Sequence, residues 1–253
     1  MERVFQSASL HSNAYGFIVR RLVIELKSLV INHVPRLRYM VIRECYVVLL
    51  DSSGTSKGRS GPMGYGFAVY ECGSLYSVAT YIFGITHMLG KHYRDTGSWR
   101  KFVEALLWGF SWKSHGCEEP RIRRGIVKAL EKSLVILLAS KKKLAQALDF
   151  LASMFSQAFV AVVCDGGKEE VQCMDKLHRI LSTRCVVDKH ARYTIFLSLA
   201  DYLAGIARYR VIVGHLVEYR ERGLAIDTSK YRMYGIAYKR LCNRLRERVY
   251  EFI

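Results

Sequence analysis

Two apolar, β-branched runs in this 253-residue chain stop on an acid. CYVVLLD ends at Asp51 and FVAVVCD at Asp165, each followed by a short loop of small residues, SSG and GG. A carboxylate at the end of a buried strand is costly unless a positive or hydrogen-bonding group meets it. If the two strands lie side by side, their carboxylates repel, and one resists ionisation unless a divalent cation neutralises the pair. A third acid, Asp201, interrupts the apolar stretch TIFLSLADYLAGIARY. On a helix it shares a face with Leu197, Ala204 and Gly205, with Arg208 two turns on, and the small residues would let that helix approach a sheet closely. The plainer reading of Asp201 is an ion pair with Arg208, since buried charges are normally paired. Taken together, several oxygen ligands converging from strand ends and a helix suit Mg2+ or Mn2+, hard cations that prefer carboxylate and water to thiolate.

The elements that must position these acids follow from periodicity. Residues 14–32 have apolar positions at helical spacing, with Arg20, Arg21, Glu25 and Lys27 on the opposite face, and the pattern ends near Pro35. The run over Tyr46–Leu50 reads as a buried strand, and YGFAVYE and LYSVATYIF as two more, joined through Cys72-Gly73-Ser74. This predicts an antiparallel meander. Helices are expected over Trp99–Phe110, Arg121–Ala139 after Pro120, Lys141–Phe155, Glu169–Leu181 and Arg192–Val213, with a buried strand in FVAVVCDGG at 159–167, stopped by its acid and glycines, and a short strand at 185–189. The order of strands and helices points to an α/β mixed sheet covered on both faces. We divide the chain into an N-terminal amphipathic helical extension (1–38), a central domain (39–213) and a basic, helical C-terminal segment (214–253). The amphipathic helix either docks on the sheet or pairs two copies in a homodimer; the sequence does not choose.

The charge is lopsided. Against 22 Asp plus Glu stand 39 Lys plus Arg, a formal net charge of +17. Such an excess attracts polyanions, above all nucleic acid. Basic clusters occur at Arg121/Arg123/Arg124, at Lys141–Lys143 and at Lys239/Arg240/Arg244/Arg246/Arg248, and the loop after Asp51 carries Lys57 and Arg59. Tyr231, Tyr234 and Tyr238 share the last cluster's helix, where they either stack on bases or pack against the core. Only three Asn and four Gln occur, a thinning of labile amides that suits a thermophile. The seven cysteines form no CxxC pair and read as small buried hydrophobes, with an odd disulfide left open. The glycine-rich loop at 54–66 lacks the spacing of a phosphate loop, no zinc spacing is present, and nothing resembles a Ser-His-Asp elbow. With no signal peptide and no apolar run long enough for a bilayer, a cytoplasmic protein without a membrane partner is expected.

The succession of parts resembles the RNase H fold. More narrowly, Asp51-Ser-Ser-Gly54, His115-Gly-Cys-Glu118 and Leu199-Ala-Asp-Tyr-Leu-Ala-Gly205 resemble the DESG, HxxE and LADxxAG motifs of the family catalogued as domain of unknown function 3800, over about residues 45–210. Asp165 falls where that family's fourth strand ends, and Asp188 matches an acid before its last helix. The LADYLAG match is complete; at the first motif the family's glutamate is Ser52 here. The resemblance implies a nuclease that hydrolyses phosphodiester bonds of DNA or RNA with two Mg2+ or Mn2+ ions, one activating water and one steadying the leaving oxygen. Asp51, Glu118, Asp165 and Asp201 would be its metal ligands, with His115 and Asp188 as auxiliaries. Glu118 has a second reading, because Pro120 makes it or Glu119 a helix-start acid. Lys57, Arg59, Arg121, Arg123, Arg124, Arg208, Lys239, Arg240 and Arg244 are the expected nucleic-acid contacts. A module without catalytic activity that binds nucleic acid or a protein partner is the alternative, favoured by Ser52.

Overall fold

The computed structural model of the chain describes residues 45–54, 62–75, 77–78, 81, 120–156, 158–164, 168–181, 185–188, 194–221 and 232–253. The predicted helices at 14–32 and 99–110 lie outside these residues, as do Lys57, Arg59, His115, Glu118 and Asp165. The elements in chain order are β1 (Cys45–Ser53), β2 (Gly64–Glu71), α1 (Pro120–Leu130), β3 (Val135–Ser140), α2 (Leu144–Met154) and β4 (Phe159–Val163). There follow α3 (Lys168–Leu181), β5 (Cys185–Asp188), α4 (Thr194–Gly214), α5 (Leu216–Glu221), α6 (Arg232–Leu245) and β6 (Val249–Phe252).

The strands form one six-stranded sheet in the order β5-β4-β1-β2-β3-β6. β2 runs antiparallel to both β1 and β3, whereas β4 is parallel to β1, β5 to β4, and β6 to β3. Five strands therefore finish at the same rim of the sheet, where β2 begins. Parallel strands covered on both faces require unbroken apolar sequence, which is what YVVLL, VILLA and FVAVV supply. On one face Val47, Leu49, Ala68, Tyr70, Ile136 and Leu138 pack against α1, α4 and α6. On the other Val48, Leu50, Tyr65, Phe67, Val69 and Leu137 pack against α2 and α3. β1, β2 and β3 are antiparallel neighbours, with α1 inserted between β2 and β3, and alternating helices and parallel strands follow; with helices on both faces this is the mixed α/β, RNase H-like architecture expected of the sequence.

Three segments differ from expectation. LYSVATYIF is not the third strand: a 3-10 turn covers Cys72–Ser74, and Leu75, Ser77, Val78 and Tyr81 are helical, with Leu75 and Val78 buried. The third strand is VILLAS, read from sequence as the end of a long helix. All six of its residues are buried, and a segment apolar on both sides has no period to separate strand from helix. The C-terminal segment also ends differently. After α6 the chain makes a 3-10 turn and adds β6 to the sheet edge, with Tyr250 and Phe252 stacking on Phe150 at ring-centroid distances of 4.7 and 5.6 Å. Alternation of Tyr250, Glu251 and Phe252 matches a strand packed on one face.

The cysteines behave as small apolar groups where they are described. Cys164 and Cys173 are buried thiols outside any disulfide, and Cys242, also in none, is half-buried. Burial pushes the Cys173 thiol well above its ordinary range, so it stays protonated and unreactive.

Candidate active site at the strand rim

Asp51 lies near the end of β1, in line with Val47 and Leu49 on the face that carries α4, and is 9% exposed. One of its oxygens, Oδ1, accepts the Ser52 backbone N–H at 2.7 Å. Its register partner on β2 is Gly66. A Cβ on Gly66 would stand 2.3 Å from the Ala204 nitrogen and 2.6 Å from Leu203, and one on Gly64 would stand 2.1 Å from the Arg208 nitrogen. The absence of side chains at these two positions is what lets the backbone of α4 rest directly on β2. Asp201, half-buried, precedes Ala204 by three residues, roughly one helical turn or ~4.5 Å of axis. The helix bearing Asp201 is thus held close to the strand end bearing Asp51. Arg208 crosses above Gly64, the register partner of Ser53.

The small residues of LADYLAG divide their work differently from expectation. Ala204 faces the sheet, but Gly205 faces α6: a Cβ there would lie 2.3 Å from the Tyr234 ring. Gly235 of α6 in turn receives the Tyr209 hydroxyl, which a Cβ would meet at 2.7 Å. Tyr234 is buried and Tyr238 packs against the same core, so both are packing residues. Tyr238 also donates its hydroxyl to Glu251 and lies under the Arg210 guanidinium, 4.5 Å from the ring centroid.

Asp188 closes β5, with its backbone level with Val163 of β4, which is level with Leu49 of β1. It therefore stands two strands, or ~10 Å, from β1. Asp165 follows Val163 by two residues, as Asp51 follows Leu49, and lies outside the described residues. Among the described residues no group of three or more His, Cys, Asp or Glu side chains converges to hold a metal ion.

Two acids that the sequence did not single out meet the same rim from the opposite face. Glu169 and Glu170 stand in the first turn of α3, where the helix dipole favours carboxylates. Glu170 is 5% exposed and accepts the Ser52 hydroxyl. Glu169 accepts the Tyr65 hydroxyl at 3.1 Å and pairs with Lys141 at 3.4 Å. Burial first, and Glu169 second, raise the Tyr65 phenol well above its ordinary range, so it remains a donor. Residue 52 thus bridges two acids: its N–H serves Asp51 and its hydroxyl serves Glu170. A glutamate at 52 would set one carboxylate against another here. Ser52→Ala should leave Glu170 buried without that donor and destabilise the fold by about 1–3 kcal/mol, read as a lower urea midpoint at unchanged slope.

Of the expected basic contacts, Arg208 on α4 is half-buried and four others are exposed. Arg124, Lys239, Arg240 and Arg244 are exposed on α1 and α6, while the side chains of Arg121 and Arg123 are not among those described. Arg244 pairs with Glu131 at 2.8 Å, and Arg248 donates to the Glu131 and Ser133 carbonyls at 3.2 and 3.1 Å. These arginines tie the end of α6 to the start of β3, at the opposite end of the sheet from Asp51.

Comparison with protein families, curated proteins and solved structures returned no match. The architecture agrees with the RNase H-like class at the level of the fold. No helix of the described residues is long and apolar enough to cross a membrane.

Proposed function

We propose that the chain is a divalent-metal-dependent nuclease acting on phosphodiester bonds of DNA or RNA, related to the domain of unknown function 3800 family through its three motifs. The observation that carries this reading is the seating of α4 on Gly64 and Gly66, which holds the Asp201 helix beside the strand end bearing Asp51. Asp51, Asp201, Asp165 and Glu118 are the residues that would hold the ions, with His115 and Asp188 as auxiliary groups. The donor atoms of Asp51, Asp201, Asp165 and Glu118 are carboxylate oxygens, the ligands Mg2+ and Mn2+ take. When bound, the ions would supply an activated water and stabilise the leaving oxygen. The protein's own part is to fix the acids: β1 and α4 set Asp51 and Asp201, and the Ser52 bridge to Glu170 pins the end of β1.

The test is incubation of the protein with labelled single-stranded DNA, duplex DNA, RNA and a DNA–RNA hybrid, with Mn2+ or with EDTA. Cleavage that needs the metal is expected on at least one of them. Salt-sensitive binding with no cleavage of any substrate would replace this reading with the second one, a catalytically silent nucleic-acid module. Ser52 in place of the family glutamate, already committed to Glu170, is the observation on that side.

A further inference from the structure

We propose that the turn Lys141–Lys143 binds the phosphate backbone of a nucleic-acid strand laid across the rim that carries Asp51. The proposal rests on the nucleic-acid part of the reading above, not on cleavage. Its first support is position. Ser140 ends β3 opposite Gly64, and Gly64 lies opposite Ser53, so the three lysines leave the sheet at the rim where β1 ends. The distance is two strand spacings, ~10 Å, or about three nucleotide rises along one strand.

The second support is how the charges are held. Lys141 is tethered through Glu169, which also holds the Tyr65 hydroxyl; Tyr65 is the register partner of Ser52. One carboxylate therefore fixes the turn relative to the site and offsets a single charge. Lys142 and Lys143 are exposed, and among the described residues no carboxylate pairs with either. Nor do they help the fold. They stand where α2 begins, with no acid in its first turn and no side-chain cap, so the helix dipole opposes them. The third support is contrast with two arginines of the C-terminal basic cluster. Arg244 and Arg248 are spent on Glu131 and two carbonyls before β3, a six-residue strand or ~20 Å from the rim.

The experiment measures binding of fluorescent single-stranded DNA and RNA in EDTA as a function of salt, for the wild type, Lys142→Ala/Lys143→Ala and Arg248→Ala. For the double lysine variant, affinity should fall alike on all sequences, and the slope of log K against log salt should shallow by about 1.4. Its thermal midpoint should hold or rise, a result a structural role would not give. Arg248→Ala, which removes the bonds to the Glu131 and Ser133 carbonyls, should lower the midpoint and leave the slope. An unchanged slope in the lysine variant, or a wild type that binds neither strand, overturns the proposal. Lost slope without any Mn2+-dependent cleavage by the wild type sinks the nuclease reading alone; cleavage with an unaltered slope sinks this proposal alone.

Discussion

Asp51→Asn should reduce metal-dependent cleavage by about three orders of magnitude while the protein stays folded. The variant keeps the shape of the side chain and an oxygen able to accept the Ser52 N–H, the bond that Asp51 Oδ1 makes at 2.7 Å. Removing a charge from a site only 9% exposed relieves desolvation, so the thermal midpoint should change little. The ion, however, loses an anionic ligand. Metal-ion stabilisation of developing charge is worth several kcal/mol, and each 1.36 kcal/mol is tenfold in rate, so a loss of about 4 kcal/mol gives about 10³. Two measurements check this: single-turnover cleavage at saturating Mn2+, and calorimetric titration with Mn2+ without substrate. An Asp51→Asn protein that binds Mn2+ and cleaves within a few-fold of wild type would remove Asp51 from the chemistry.

Such a prediction can be made from one residue because much of the rim was legible in the chain. β1, β4 and β5 are short apolar runs bounded by glycine, serine or an acid, and their ends were read close to where the sheet places them. The segment following β2 was misread because its aromatic and β-branched residues satisfy strand statistics, whereas Leu75 and Val78, three apart, are buried as a helix would bury them. VILLAS was misread for the converse reason: it follows α1 with only Glu131-Lys132-Ser133-Leu134 between them, without a glycine or proline to mark the break. The site shows the same division. Asp51 and Asp201 announce themselves by standing alone in apolar sequence. Glu169 and Glu170 look like ordinary helix-start acids, and their approach to Ser52, Tyr65 and Lys141 depends on register between segments up to 118 residues apart. The available signal was small: an acidic pair shortly after an apolar run that stops on Asp165.

The same register logic makes Gly66 the position where one methyl group should do most damage to the fold. Gly66 sits between two paired strands, opposite Asp51 on one side and Leu138 on the other, so it cannot swing out of the sheet. An added Cβ would meet main-chain atoms of α4 at 2.3 and 2.6 Å, and no rotamer change can move a backbone nitrogen away. The helix must lift by about 1 Å to restore ordinary contact, which strips packing from Leu203, Ala204 and Ala207, all fully buried. Overpacking of this kind costs about 3 kcal/mol, or about 6–12 °C in the midpoint for a chain of this size. Gly73→Ala is the control: a Cβ there meets nothing within 4 Å, and its midpoint should be unchanged. Because α4 also carries Asp201, Gly66→Ala should weaken Mn2+ binding even at temperatures where the variant is folded. If instead the variant loses stability but titrates with Mn2+ as the wild type does, Asp201 does not share a metal with Asp51, and close seating of the helix serves packing alone.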